Sequence, residues 1–284
     1  MPSLALTAMK LKDMDWATTI ARDYYNNYLN NLQNTALYTK ENIEFIRWFP
    51  NLIHSKDRIF YLLYHKGKKI DEMINSKGLS EQLVTSIIIK EEIADKLYRN
   101  GKPVVEQPNW NKIKTTISKK YSVISADSLV ESIRFDYHTM YYKSWGKWRQ
   151  YAKVIEDKIK QYPPKQGGKN LNFLGDTWGL NVAAWDVFEH CNDQLVLTKA
   201  LQWIETAIQL EQPPNHQYYD TKANLLYKLG KVKEAIALEE KAIALDNEYA
   251  IKNGKEKGIL VDTYYAIIDK MKKGEPTWKV GQQN

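Results

Sequence analysis

A chain of 284 residues can hold one large domain or two ordinary ones. With 43% hydrophobic and 26% charged residues the composition excludes a disordered chain, and no run approaches the ~18 apolar residues that a membrane-spanning helix needs. The net charge of +7 is unevenly placed, since residues 1–160 hold 26 Lys and Arg against 18 Asp and Glu, whereas residues 161–284 hold 15 against 16. A basic first half can attract nucleic acid or anionic lipid, but 35 of the 41 basic residues are Lys scattered among acids, so nucleic acid is not the expected partner.

In chain order, almost every segment has helical periodicity. Trp16, Ile20, Tyr24, Tyr28 and Leu32 recur at i,i+4 and predict one apolar helix face. Thr39 is placed to cap a second helix, with Glu41 and Glu44 in the first turn, where the helix dipole favours acids. Pro50 lacks an amide donor and must end or kink that helix. Ser55 can cap IFYLLYH, which Gly67 is expected to end. Ser80 begins a long helix with Gly101 as its stop, and a short helix follows Pro108. A longer helical run extends from about Asp127 to Gln161, with a break at Gly146. The Pro- and Gly-rich QYPPKQGGKN, 161–170, ends helices and begins none, and it coincides with the change in charge. Helices are then expected over 175–191, 196–211, 216–229, 232–246 and 256–273. The organisation read from this pattern is an irregular helical region over 1–160, a linker over 161–170, and helical hairpins with a terminal capping helix over 171–284. Strand candidates such as KPVV are too few to make a sheet, so the class is all-α.

The last region repeats. Ala200, Leu201, Ala207, Ile208 and Leu210 recur 35 residues later as Ala235, Ile236, Ala242, Ile243 and Leu245. Similarity at about 34 residues, built from helix–turn–helix units, resembles the tetratricopeptide repeat. Alanines at the crossing positions let two helix backbones approach closely. DTKANLLYKLGKVKEAIALEEKAIAL, 220–245, is the better copy, with Gly230 in its turn. The preceding copy lacks the turn glycine, and no third copy follows. In its place Val261, Tyr264, Tyr265 and Ile268 form one apolar stripe suited to a capping helix. Two repeats cannot bury their apolar faces alone, so the aromatic helices of 126–161 are expected to support them.

The single cysteine, Cys191, excludes an internal disulfide, a CxxC redox pair and a thiolate zinc site. His190 stands beside it, but neighbours at i and i+1 on a helix do not face one another, and a small residue near a helix end is the expected role. The stretch 135–153 interleaves seven aromatic residues with five basic ones; base stacking and capture of an acidic peptide are both open to it, and packing is the expected use. His54, His65, His138, His190 and His216 show no i,i+4 pairing, and the adjacent acids Glu91–Glu92 and Glu239–Glu240 read as solvated faces. No GxGxxG, GxxxxGK[ST] or GxSxG is present. No catalytic residue, metal site or cofactor is expected.

The segment DTWGLNVAAWDVFEHCNDQLVLTKALQWIETAIQL with the repeat after it resembles the C-terminal helical region of thioredoxin-family proteins from Bacteroidetes, and YYNNYLNNLQNTALYTKENIEFIRWF more loosely resembles their intervening helices. No WCxxC-like motif or preceding βαβ pattern accompanies the resemblance, so the family's redox chemistry cannot be carried onto these residues. The tetratricopeptide resemblance implies an inner groove for an extended peptide, with Asp220, Asn224, Tyr227 and Lys228 on its surface. Asn224 can there serve a peptide carboxylate or backbone, or stand as a tolerated polar residue near a helix contact. The implied function is a non-catalytic scaffold that binds a protein or peptide, accessory to a thioredoxin-type system. The alternative is the helical half of a thiol–disulfide oxidoreductase. The opening MPSLALTAMKLKDMDW has no basic n-region, so a native start at Met1 implies a cytoplasmic protein, and a fragment of a secreted relative implies a periplasmic one.

Overall fold

The computed structural model describes residues 2–37, 39–122, 125–165 and 177–279. The protein is all-α, an array of helical hairpins, and its only strands among the described residues are β1 (Tyr98–Arg99) and β2 (Lys102–Pro103), paired antiparallel. The chain divides into two compact units, Met1–Val130 and Glu131–Asn284. This division falls earlier than the Pro- and Gly-rich stretch, whose residues 166–170 lie outside the described residues.

The first unit contains α1 (Pro2–Lys10), α2 (Met14–Asn27), α3 (Asn34–Leu37), α4 (Lys40–Trp48), α5 (Arg58–Met73), α6 (Leu79–Ile89), α7 (Asp95–Leu97) and α8 (Trp110–Lys120). Asp13 and Thr39 accept amides of the first turns of α2 and α4, and Pro50 follows α4 and opens a 3-10 turn. The buried face of α2 runs through Ala17, Ala21, Tyr24 and Tyr25, while Trp16 and Tyr28 are exposed, which corrects the aromatic stripe expected there. The reason is close packing: α1 lies against α2, and Ala5, Ala8, Ala17 and Ala21 are fully buried. Gly67 sits inside α5 and does not end it. A Cβ at that position would come within 2.9 Å of the Ser80 Cβ, so the glycine admits α6 at close range. Nor does Ser55 cap α5; Asp57 precedes it and accepts the Tyr25 hydroxyl.

Between α6 and α7 the chain makes a π-helical turn, Lys90–Ala94. Here the solvated-face reading of Glu91–Glu92 is corrected. Glu92 is buried between the ammonium groups of Lys96 and Lys120, and Glu91 accepts the Ser55 amide at 2.9 Å. Burial pushes the Glu92 carboxyl up, and hydrogen bonds from Lys120 and Lys96 outweigh it, so the net shift is downward.

The second unit holds most of α9 (Ala126–Ser144), then α10 (Trp148–Gln161), α11 (Thr177–His190), α12 (Gln194–Leu210), α13 (His216–Lys228), α14 (Val232–Lys252) and α15 (Val261–Lys273). The helices α11 with α12 and α13 with α14 form consecutive hairpins, α11 also touches α13, and α15 closes against α14. Ala200, Ala207, Ala235 and Ala242 are all fully buried, as expected for small residues where helices cross. On α15 the buried stripe is Val261, Tyr264, Ile268 and Met271; Tyr265 is 55% exposed, and the expected stripe is corrected by that one residue. The helix α10 packs on α12 with ion pairs Arg149–Asp193 at 2.6 Å and Lys199–Glu156. Phe135, Tyr137, Tyr141, Tyr142 and Tyr151 are buried, so most of the aromatic stretch 135–153 is core, although Trp145 is exposed.

Candidate functional site

The four groove residues expected from the repeat all lie on α13, but they serve two different neighbourhoods. Asp220 and Asn224 turn toward α14. The Asn224 side chain is 1% exposed, and its amide donates to the Asp220 carbonyl at 3.0 Å and to Asp220 Oδ1 at 2.8 Å. An asparagine so placed is committed to its own helix turn and is buried rather than presented on a surface. Asn224→Ala should therefore lower stability by roughly 1.5–3 kcal/mol, the usual loss for a hydrogen bond to a charged group. Thermal denaturation followed by circular dichroism checks this.

Opposite Asp220 stands Glu239 of α14, which is 0% exposed and corrects the expectation of a solvated Glu239–Glu240 pair; Glu240 alone is exposed. Neither Glu239 carboxylate oxygen receives a donor from the protein. Its neighbour is the Asp220 carboxyl, and two carboxyls close together away from water favour a proton on one of them. Burial and the neighbouring Asp220 charge push the Glu239 carboxyl far above the usual range, and burial also raises Asp220. Beside this pair, His216 Nδ1 lies 2.7 Å from the Tyr264 hydroxyl and His216 Nε2 lies 3.6 Å from buried Asp246. Asp246 in turn accepts the Leu260 amide at 2.8 Å, at the start of α15. The cluster is a polar fastening that joins α13, α14 and α15.

Tyr227 and Lys228 face the other way, toward the face formed by α11 and α13. That face is covered by residues 275–279 of the same chain. Gly274 takes φ +73°, and the amides of Gly274 and Glu275 close on Met271 and Lys270, which ends α15 and turns the chain back. Pro276 disfavours helical backbone at the residue before it. The Tyr227 hydroxyl donates to the Glu275 carbonyl at 2.9 Å. Trp278 then lies between aromatic neighbours, with Tyr227 at 6.1 Å and Phe188 at 6.4 Å between ring centroids. The Lys228 ammonium sits 4.8 Å over the Trp278 ring and donates to the Phe188 carbonyl at 2.6 Å. That carbonyl belongs to the last turn of α11, where the helix dipole favours a cation. Burial holds the Lys228 ammonium below its ordinary range, and it still makes this hydrogen bond. Beyond the tryptophan, Lys279 lies 3.6 Å from Glu189, whose side chain is only 11% exposed.

Phe188, Glu189, Trp278 and Lys279 escaped the sequence reading. The periodic pattern ends at Lys273, and a lone tryptophan in EPTWKV carries no repeat signal; its isolation among Pro and Lys was the only trace. Cys191 follows α11 directly, is buried, and accepts the Asp193 amide through its sulfur at 3.4 Å. Burial raises its thiol, which disfavours the thiolate a nucleophile needs. Among the described residues no group of His, Cys, Asp and Glu is arranged to hold a metal ion, and no helix is long and apolar enough to cross a membrane. No family model, curated protein or solved structure matches the chain.

Proposed function

We propose that this protein is a helical scaffold, tetratricopeptide-like in its second unit, that binds a protein or peptide across the face of α11 and α13. The observation that carries the reading is that this face already holds a non-helical segment of the chain. It supplies a tyrosine hydroxyl for a backbone carbonyl, an aromatic and cationic seat for an indole, and a shielded carboxylate for a following lysine. The face is preformed by packed helices, so a partner loses little free energy in ordering it. The resemblance of 171–245 to the helical region of Bacteroidetes thioredoxin-family proteins supports a role beside a thioredoxin-type system.

The reading is tested by selecting peptides from a displayed random library against the full chain and titrating them calorimetrically. Lys228→Glu should weaken selected peptides by roughly tenfold or more, the equivalent of about 1.4 kcal/mol. Glu189→Lys should weaken those that carry a basic residue. Equal affinity for the wild type and both variants would remove this face from the binding site.

A further inference from the structure

We infer that residues 275–279 are a built-in occupant of the binding face, and that the partner which displaces them is an extended segment carrying a tryptophan followed by a lysine or arginine. This inference rests on the proposed binding face and adds the chemistry of its partner.

The argument starts from what the segment contributes. It forms no part of a helix, and its last described residues follow the helix stop at Gly274. Its hold on the face has three elements that any chain could supply. One is a backbone carbonyl, that of Glu275, on the Tyr227 hydroxyl. Another is the Trp278 ring under the Lys228 ammonium, a cation–π contact strengthened where water is excluded. The last is the Lys279 ammonium facing Glu189.

The fit between this occupant and the face is incomplete. The Glu189 oxygen nearest Lys279 is buried without a hydrogen bond, because 3.6 Å is an ion-pair distance rather than a hydrogen-bond distance. The Thr277 hydroxyl is also buried without a partner. Trp278 itself is only half-buried. A segment that brings its cation closer to Glu189, or that carries an apolar residue in place of Thr277, gains contacts the resident lacks. Such a segment competes favourably even against an occupant tethered to the same chain. An acidic peptide is disfavoured by the same geometry, since its charge would face the Glu189 carboxylate.

Tethering also sets the size of the effect. A short connection holds its occupant at an effective concentration on the order of millimolar, so for a segment whose own affinity is about 10–100 micromolar the same free peptide is weakened by about 10- to 100-fold in its presence.

The test uses the full chain and a fluorescein-labelled synthetic peptide, KGEPTWK, which reproduces residues 273–279. Fluorescence anisotropy should show the peptide binding Trp278→Ala roughly 10- to 100-fold more tightly than the wild type. The same peptide with alanine for its tryptophan should bind neither protein. Glu189→Lys added to Trp278→Ala should reverse the gain, and unchanged thermal transitions confirm that the variants fold. The inference is overturned by equal binding to wild type and Trp278→Ala, or by no binding to a folded Trp278→Ala protein. It is also overturned if the wild type is a concentration-dependent dimer that Trp278→Ala dissolves, because the occupant is then delivered by a second copy. If library-selected peptides bind in a Lys228-dependent manner while KGEPTWK does not, the partner chemistry fails and the binding face stands; if neither binds, both fail.

Discussion

Gly258→Ala should lower the melting temperature of the second unit by about 10 °C. A Cβ at this position would lie 2.4 Å from the Asp246 Cγ and 2.8 Å from its backbone carbonyl carbon. Neither atom has room to retreat, since Asp246 is 1% exposed and its carboxylate holds the Leu260 amide at the start of α15. The substitution therefore combines overpacking, typically 1–3 kcal/mol, with disturbance of a charge-assisted hydrogen bond of about 1.5–3 kcal/mol. At roughly 2–4 °C per kcal/mol for a unit of this size, the sum falls near the stated shift. The functional consequence follows from connectivity: α15 leads directly into the segment that covers Tyr227 and Lys228. Differential scanning calorimetry measures the transition, and a shift of less than 2 °C would show that the loop before α15 yields freely. Gly258→Ala should also raise the affinity for KGEPTWK, since loosening α15 loosens its competitor.

The second large effect is on pH dependence. The Asp220 and Glu239 carboxyls are both raised above their ordinary values of 3.8 and 4.5, Glu239 much further. A group whose folded-state value is raised favours the folded chain fully below its unfolded value and loses that contribution as pH rises. The unfolded chain releases the Glu239 proton near its ordinary value, while the folded chain keeps it, so stability should fall steadily from pH 7 to 9. The other groups facing the pair do not offset this loss. His216, on α13, is lowered by burial, so its contribution is complete above its ordinary value of 6.5 and is lost only as pH falls. Tyr264 on α15 is pushed upward by burial, beyond this window.

One proton retained over two pH units is worth at most about 3 kcal/mol, which gives a decrease of several degrees in melting temperature between pH 7 and 9. Glu239→Gln replaces the shared proton with a permanent amide donor to Asp220. The variant should be nearly flat across that range and more stable than the wild type at pH 9. Parallel pH profiles of the two proteins decide the matter: equal slopes would mean that the pair is not protonated in the folded state.

Much of the fold was legible because helices announce themselves locally. Stops such as Pro50 and Gly146, the cap at Thr39 and the recurring alanines depend on neighbours within a few residues, and each stands where expected. Faces were less legible. Glu92 and Glu239 look like surface acids by type, yet each is buried beside a partner distant in sequence: Lys120 for the first, Asp220 for the second. Trp16 and Tyr28 look like core by type, yet alanine–alanine packing against α1 took the buried side of α2. Periodicity records which residues share a face but carries no information on what lies opposite.

The candidate site shows the same boundary. From the amino-acid sequence alone came the all-α class, the hairpin period and the choice of α13 as the helix that carries the candidate residues Tyr227 and Lys228. Only the tertiary structure separated those two from Asp220 and Asn224, which are spent on the fastening between helices. It also brought Phe188 and Glu189 to one place with Trp278, about 90 residues further along the chain. Helix formation is governed by contacts a few residues away, so sequence determines it; the face of α11 and α13 is made where separate helices and a returning segment meet, and that meeting is decided by packing.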